Sequence, residues 1–146
     1  MIALDTNLLV YSHRTDGPHH QAALSALEAL ARSGLSWAIP WPCIHEFLAI
    51  VTHPRIFAPP STMTVALRAV SDLFDLPGMR PIGESEDHAR RLAHLLTRSG
   101  VVGPKVHDAR LVAICLAHGV RELWTADRDF SFFPELVTRN PLVKTT

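Results

Sequence analysis

Long apolar runs are missing from this chain: no stretch approaches the ~18 consecutive apolar residues of a transmembrane helix. Its opening text, MIALDTN, lacks the basic segment and extended apolar core of a secretory leader. A cytoplasmic protein without membrane contact is therefore expected. Cysteine is scarce, two in 146 residues, whereas small secreted domains held by disulfides need more. Cys43 and Cys115 both fall in apolar, helix-like text and are expected to be buried reduced thiols. Net charge is absent as well, with 14 basic side chains against 14 acidic ones. A chain with no global basic field does not coat DNA or RNA indiscriminately, although a local groove of Arg and Lys stays open to it. Nine histidines are present, yet no His-Glu-x-x-His and no Cys-x-x-Cys, so zinc has little support. Repeats, low-complexity tracts and dividing linkers are lacking too. Residues 1–146 are expected to form one domain around one core.

What is present is an alternation of short apolar segments with helical text. Residues 1–4 read as a buried strand ending at Asp5. Ala23, Ala26, Leu27, Leu30 and Ala31 recur at helical spacing after the Asp16-Gly17-Pro18 turn, and Gly34 ends that helix. A strand is expected over 35–39, then a helix from Pro42 to about Thr52, stopped by His53-Pro54. Ser61 is placed to cap a helix carrying Met63, Ala66, Leu67, Val70, Leu73 and Phe74 on one face. A short strand over 79–82 precedes a helix capped by Ser85 and closed by Gly100. A further helix spans 107–118, and strands are read at 122–125 and near 136–138. Short strands alternating with helices indicate a parallel sheet covered on both faces.

Four acidic residues stand where apolar segments stop or helices begin: Asp5, Glu46, Asp108 and Asp127. Carboxylates at the carboxyl ends of parallel strands face the crevice where open α/β sheets bind ligands. Several converging there repel one another unless a cation joins them. Each has a plain alternative: Asp5 as a helix cap, Asp127 as part of a solvated Asp-x-Asp turn with Asp129, Asp108 as a partner of a helix dipole. Glu46 is the hardest to explain that way. Cys43, Ala49 and Ile50 flank it, so its helix reads as apolar nearly all round, and a buried carboxylate is costly without a partner. Together the four suggest a site for Mg²⁺ or Mn²⁺, which take oxygen ligands and leave positions for phosphate oxygens. Thr6, Asn7 and Thr125 are the small polar groups nearest these carboxylates. Arg14, Lys105, Arg110 and Arg128 are candidates for positioning phosphate. His45 and His107, which directly precede Glu46 and Asp108, read as residues near helix starts.

The segments IALDTNLLVY, PWPCIHEFLAIVTHPRIF, GPKVHDARLVAICLAHG and ELWTADRDF resemble the PIN-domain ribonucleases, specifically the VapC toxins of type II toxin–antitoxin systems. The similarity runs from residue 1 to about 133 and includes a Leu-x-Thr-x-Asp-x-x-Phe pattern at Leu123, Thr125, Asp127 and Phe130. It implies a three-layer α/β/α sandwich with a central parallel sheet of four or five short strands. It also implies that Asp5, Glu46, Asp108 and Asp127 form an acidic metal-binding quartet, with Asp129 a provisional fifth member. Thr6, Asn7 and Thr125 take the supporting polar positions. The implied activity is metal-dependent endoribonuclease cleavage by activated water, with Glu46 as ligand or base. Implied partners are an RNA substrate, a VapB-like antitoxin and a second copy of the chain, with DNA met only through the antitoxin. Two rival readings are a catalytically silent PIN-like module for RNA or protein binding and an Asp-nucleophile phosphotransferase.

Overall fold

The computed structural model describes residues 1–126 and 128–143. The apolar segment at the amino terminus forms β1 (Ile2–Leu4), flanked on both sides by parallel neighbours. The other strands are β2 (Trp37–Pro40), β3 (Met79–Ile82), β4 (Glu122–Trp124) and β5 (Val137–Arg139), in the order β3-β2-β1-β4-β5. All four pairings are parallel. Trp37, Ala38 and Ile39 are buried, as are Ala3 and Leu4, because helices cover both faces of the central strands.

Six helices make the outer layers among the described residues: α1 (Thr6–His13), α2 (His20–Arg32), α3 (Trp41–Val51), α4 (Met63–Phe74), α5 (His88–Ser99) and α6 (Lys105–Ala117). The connections β1-to-β2 and β2-to-β3 run outward in one direction, and right-handed crossovers put α1 to α4 on one face. The β3-to-β4 connection runs back across the sheet and puts α5 and α6 on the other. Packing agrees, since α1 meets α2 and α3 while α5 meets α6. The three-layer α/β expectation holds, with five strands.

The structure corrects several local expectations. Residues 6–13 form α1, a helix that the sequence does not signal. Leu8, Leu9 and Val10 are consecutive and all buried, so its text carries no helical period to read. Thr62, not Ser61, caps α4: its Oγ1 accepts from Val65 N–H at 3.2 Å. Ser61 Oγ instead meets His13 Nε2 at 2.9 Å. Ser85 does not cap α5, which starts at His88; its hydroxyl donates to the Asp87 carboxylate. Helix α3 is buried on one side only, along Cys43, Ile44, Phe47 and Val51, while His45 and Ala49 are exposed. Ala49 is small enough to lie at the surface without a large apolar cost, so the apolar text around Glu46 overstated its burial.

Candidate functional site

The strand order reverses between β1 and β4, and the crevice at their carboxyl ends is the usual ligand position in such sheets. Asp5 is the first residue past β1. Its N–H donates to Trp124 O at 2.9 Å, which fixes it to the end of β4. Asp5 also caps α1, with Oδ1 accepting from Thr6 N–H at 2.7 Å. Oδ2 accepts from Thr125 Oγ1 at 2.8 Å, and the Cys43 thiol approaches Oδ1 at 3.6 Å. This carboxylate is 0% exposed.

Three further polar groups hold the surroundings. Asn7 Nδ2 donates to Thr125 Oγ1 at 3.4 Å, and Asn7 Oδ1 accepts from Ala126 N–H at 3.2 Å. Asn140 Nδ2 donates to Ala126 O at 3.3 Å, so the turn leaving β4 is pinned on both sides. Thr6 Oγ1 is buried with no hydrogen-bond partner among the described residues.

Arg128 lies at the centre of the acidic groups. Its Nε is 3.7 Å from Asp5 Oδ2, its Nη1 is 3.5 Å from Asp108 Oδ1, and its Nη2 donates to Glu46 Oε1. Side-chain exposure is 13% for Asp108, 27% for Arg128 and 40% for Glu46, so the cluster opens to solvent at Glu46. Lys105 Nζ adds a contact to Asp108 Oδ2 at 3.5 Å and donates to Asp129 O at 2.9 Å. Above them lies a hollow of about 570 Å³ lined by Glu46, Pro104, Lys105, His107, Asp108, Arg128 and Asp129.

The charges are mutually dependent. Burial pushes the Asp5 carboxyl above its ordinary range, while Arg128 and the hydrogen bonds from Thr125 and Thr6 pull it back. Burial works against the Arg128 charge, but the Asp5 and Glu46 carboxylates outweigh it and hold the guanidinium firmly protonated. The Cys43 thiol is driven well up by burial and by the Asp5 charge. Cys115 is pushed to about 12 for the same two reasons, so both behave as buried neutral thiols.

Three of the four quartet residues, Asp5, Glu46 and Asp108, are thus brought together. Asp127 lies outside the described residues. Asp129 lines the same hollow, but its Oδ1 accepts from Ser131 N–H at 2.9 Å and it is exposed. Of the four basic candidates, Lys105, Arg110 and Arg128 border the site. Arg14 is at the far end of α1, paired with Asp16 at 2.6 Å and stacked on Phe57. Sequence spacing did not single out Arg128 from the other three, because its role depends on a long side chain reaching back across the crevice. The arrangement suits a hard cation in donor chemistry, since three carboxylates already surround one positive group. As it stands, no three metal-ligating side chains among the described residues are close enough to share an ion, and the guanidinium separates them.

This fold and acidic crevice define a class. The PIN domain family model matches residues 2–136, and the chain belongs to that family. Its relatives include ribonuclease VapC48 of Mycobacterium tuberculosis, 32% identical over 141 residues and covering 94% of each chain. Ribonuclease VapC43 of the same bacterium is 32% identical over 142 residues, covering 97% of this chain and 96% of that one. Among solved structures, VapBC2 from Rickettsia felis bound to a promoter DNA fragment aligns with a TM-score of 0.69 at 19% identity, over 96% of this chain and 98% of that one. VapC20 of M. tuberculosis, a sarcin-ricin loop cleaving toxin, aligns with a TM-score of 0.65 at 15% identity, over 90% and 93%. At those identities the solved structures speak for the fold.

Proposed function

We propose that this protein is a divalent-metal-dependent endoribonuclease, residues 1–146 forming one PIN domain that acts as the toxin of a toxin–antitoxin pair. The observation that carries this reading is the convergence of Asp5, Glu46 and Asp108 on one positive group at the reversal point of a parallel sheet. Asp5, Asp108 and Asp127 are the proposed ligands of Mg²⁺ or Mn²⁺, with Asp129 within reach as a provisional further one. A bound divalent cation would ease deprotonation of water and offset the charge that builds at phosphorus. Thr125, Thr6 and Asn7 keep Asp5 and the β4 turn in place. Glu46, the most exposed of the three, is suited to orient the attacking water and take its proton. Lys105, Arg110 and Arg128 counter the charge of the incoming phosphodiester. Water oxygen bonds to phosphorus, the bond from phosphorus to the 3′ oxygen breaks, and that oxygen leaves with a proton.

The names of the relatives support the substrate class and the toxin role. A VapB-like antitoxin is the proposed partner, supported by solved neighbours that are VapBC assemblies. Met63, Leu67 and Phe74 are exposed along one side of α4 and support a face covered by a partner or a second copy. No described helix is long and apolar enough to cross a membrane.

The test is cleavage of total RNA with Mg²⁺ or Mn²⁺, comparing wild type with Asp5→Asn and mapping the new ends. The expected result is 5′-phosphate and 3′-hydroxyl ends from the wild type and none from the folded variant. Cyclic 2′,3′-phosphate ends, or equal cleavage by both proteins, would overturn the reading.

A further inference from the structure

A second cavity of about 320 Å³ lies between the amino-terminal halves of α3 and α6. Its apolar wall is Pro42, Cys43, Ala49 and Leu111, and its polar rim is His45, Glu46, His107, Arg110 and Arg128. Glu46, His107 and Arg128 also line the hollow over the carboxylates, so the two cavities share an edge. The rim therefore carries two imidazoles and two guanidiniums against one carboxylate. Arg110 is held in place by Glu84, with Nη2 at 2.6 Å from Oε1. Neither imidazole makes a side-chain hydrogen bond among the described residues, and both are exposed. Beyond His45, one helical turn back on α3, Trp41 is 39% exposed. Its ring lies 5.8 Å from the His45 ring at 35°, and Phe74 backs it edge-on at 5.7 Å.

This combination matches one ligand chemistry. Flat π-faces and guanidinium planes stack on bases, and cations follow the phosphates of a single strand. A volume near the lower end of small-ligand pockets suits one nucleotide rather than a duplex.

We infer that the His45–His107–Arg110 cavity, with Trp41 at its outer edge, is a nucleotide subsite that holds the ribonucleotide next to the scissile phosphate and selects its base. The inference rests on the ribonuclease reading for the identity of that ligand. His45 and His107 contact the base face, while Arg110 and Arg128 contact its phosphate. Trp41 extends the stack to the following base.

The test begins with binding in EDTA, where no metal is available to the carboxylates. The four ribonucleoside 5′-monophosphates are titrated singly, with inorganic phosphate as the reference. Trp37 and Trp124 are buried, so external quenching of tryptophan fluorescence reports Trp41. Imidazole C–H signals in NMR report His45 and His107. The expected result is saturable quenching and imidazole shifts, with at least one nucleotide binding about tenfold tighter than phosphate. The double variant His45→Ala/His107→Ala keeps its melting temperature, since both rings are exposed, and loses that advantage. On a randomised RNA it also loses base preference at one position beside the cut, with KM rising more than kcat falls. Equal binding of phosphate and all nucleotides, or an unaltered cleavage preference in the double variant, would overturn the subsite. If RNA is cut while nucleotides leave both imidazoles unmoved, the subsite fails and the ribonuclease reading stands. If nucleotides bind as described but no RNA is cut with metal present, the ribonuclease reading fails, and the placement of this nucleotide cavity beside a scissile phosphate fails with it.

Discussion

A carboxylate with no exposed surface needs a counter-charge or a proton, and in this protein Arg128 is the counter-charge for Asp5. The guanidinium occupies the position between Asp5, Glu46 and Asp108 that a divalent ion would have to enter. At the proposed metal site, a divalent ion and Arg128 would compete for the same carboxylates. Replacing Arg128 with Ala has two expected effects of opposite direction. In EDTA the fold loses roughly 1–3 kcal/mol, because a buried acid is left without its partner. In Mn²⁺ the variant binds the ion on the order of tenfold more tightly, a difference of about 1.4 kcal/mol. Thermal melts in EDTA and calorimetric titration with Mn²⁺ check the two halves separately. Weaker Mn²⁺ binding by the variant would show that Arg128 supports the ion rather than competing with it.

At the level of elements, the end of α1 and the start of β3 show how neighbouring segments are held to the sheet and to each other. His13, in the last turn of α1, packs edge-on to Phe47 of α3 and meets Ser61 Oγ at 2.9 Å. Burial, and next the neighbouring Arg14 charge, lower its pKa below the usual histidine value. The unfolded chain therefore takes up a proton near pH 6.5 before the folded one does, and stability falls as pH drops below that point. His13→Gln should narrow the difference in melting temperature between pH 7.5 and pH 5.5; an unchanged difference would locate the acid sensitivity elsewhere. Gly78 has φ +80°, and a Cβ there would run into the Leu35 carbonyl oxygen. Its own carbonyl accepts from Trp37 N–H at 2.9 Å, so it sets the entry of β3 beside β2. Gly100, with φ +69°, has open space around it. Gly100→Ala should cost about 1 kcal/mol for its left-handed backbone alone, and Gly78→Ala clearly more, by denaturant titration. Equal losses would mean that the β3 entry relaxes around the added methyl.

The same elements explain what was legible in the chain text. Strands β1, β3 and β4 and helices α2 and α4 carry their period or their stops openly, and the structure places each within a few residues of the expected position. Helix α1 is apolar on consecutive residues and has no stripe to detect. Asp5, Glu46 and Asp108 were recognisable because each ends an apolar segment or lies in the early turns of a helix. The central place of Arg128 was not, since it comes from a side chain folding back over residues more than eighty positions away.

For the whole molecule, zero net charge means that attraction of RNA depends on a local arrangement rather than on a global field. Lys105, Arg110 and Arg128 are gathered around the two cavities. Arg90, Arg91 and Arg98 lie on α5, two of them paired with Asp87 and the third with Glu135. If only the first three meet phosphates, each displaces counterions from a single strand. The slope of log affinity against log salt is then about −2, taking roughly −0.7 for each of three contacts. Anisotropy of a labelled RNA oligonucleotide with the Asp5→Asn protein, over a series of KCl concentrations, measures it without cleavage. A slope steeper than about −4 would bring α5 into the interface and make the RNA path twice as long. A slope near zero would leave stacking in the His45–His107 cavity as the main source of affinity. Lys105→Ala should flatten the slope by about 0.7, whereas the same change at Arg14, at the far end of α1, should leave it unaltered.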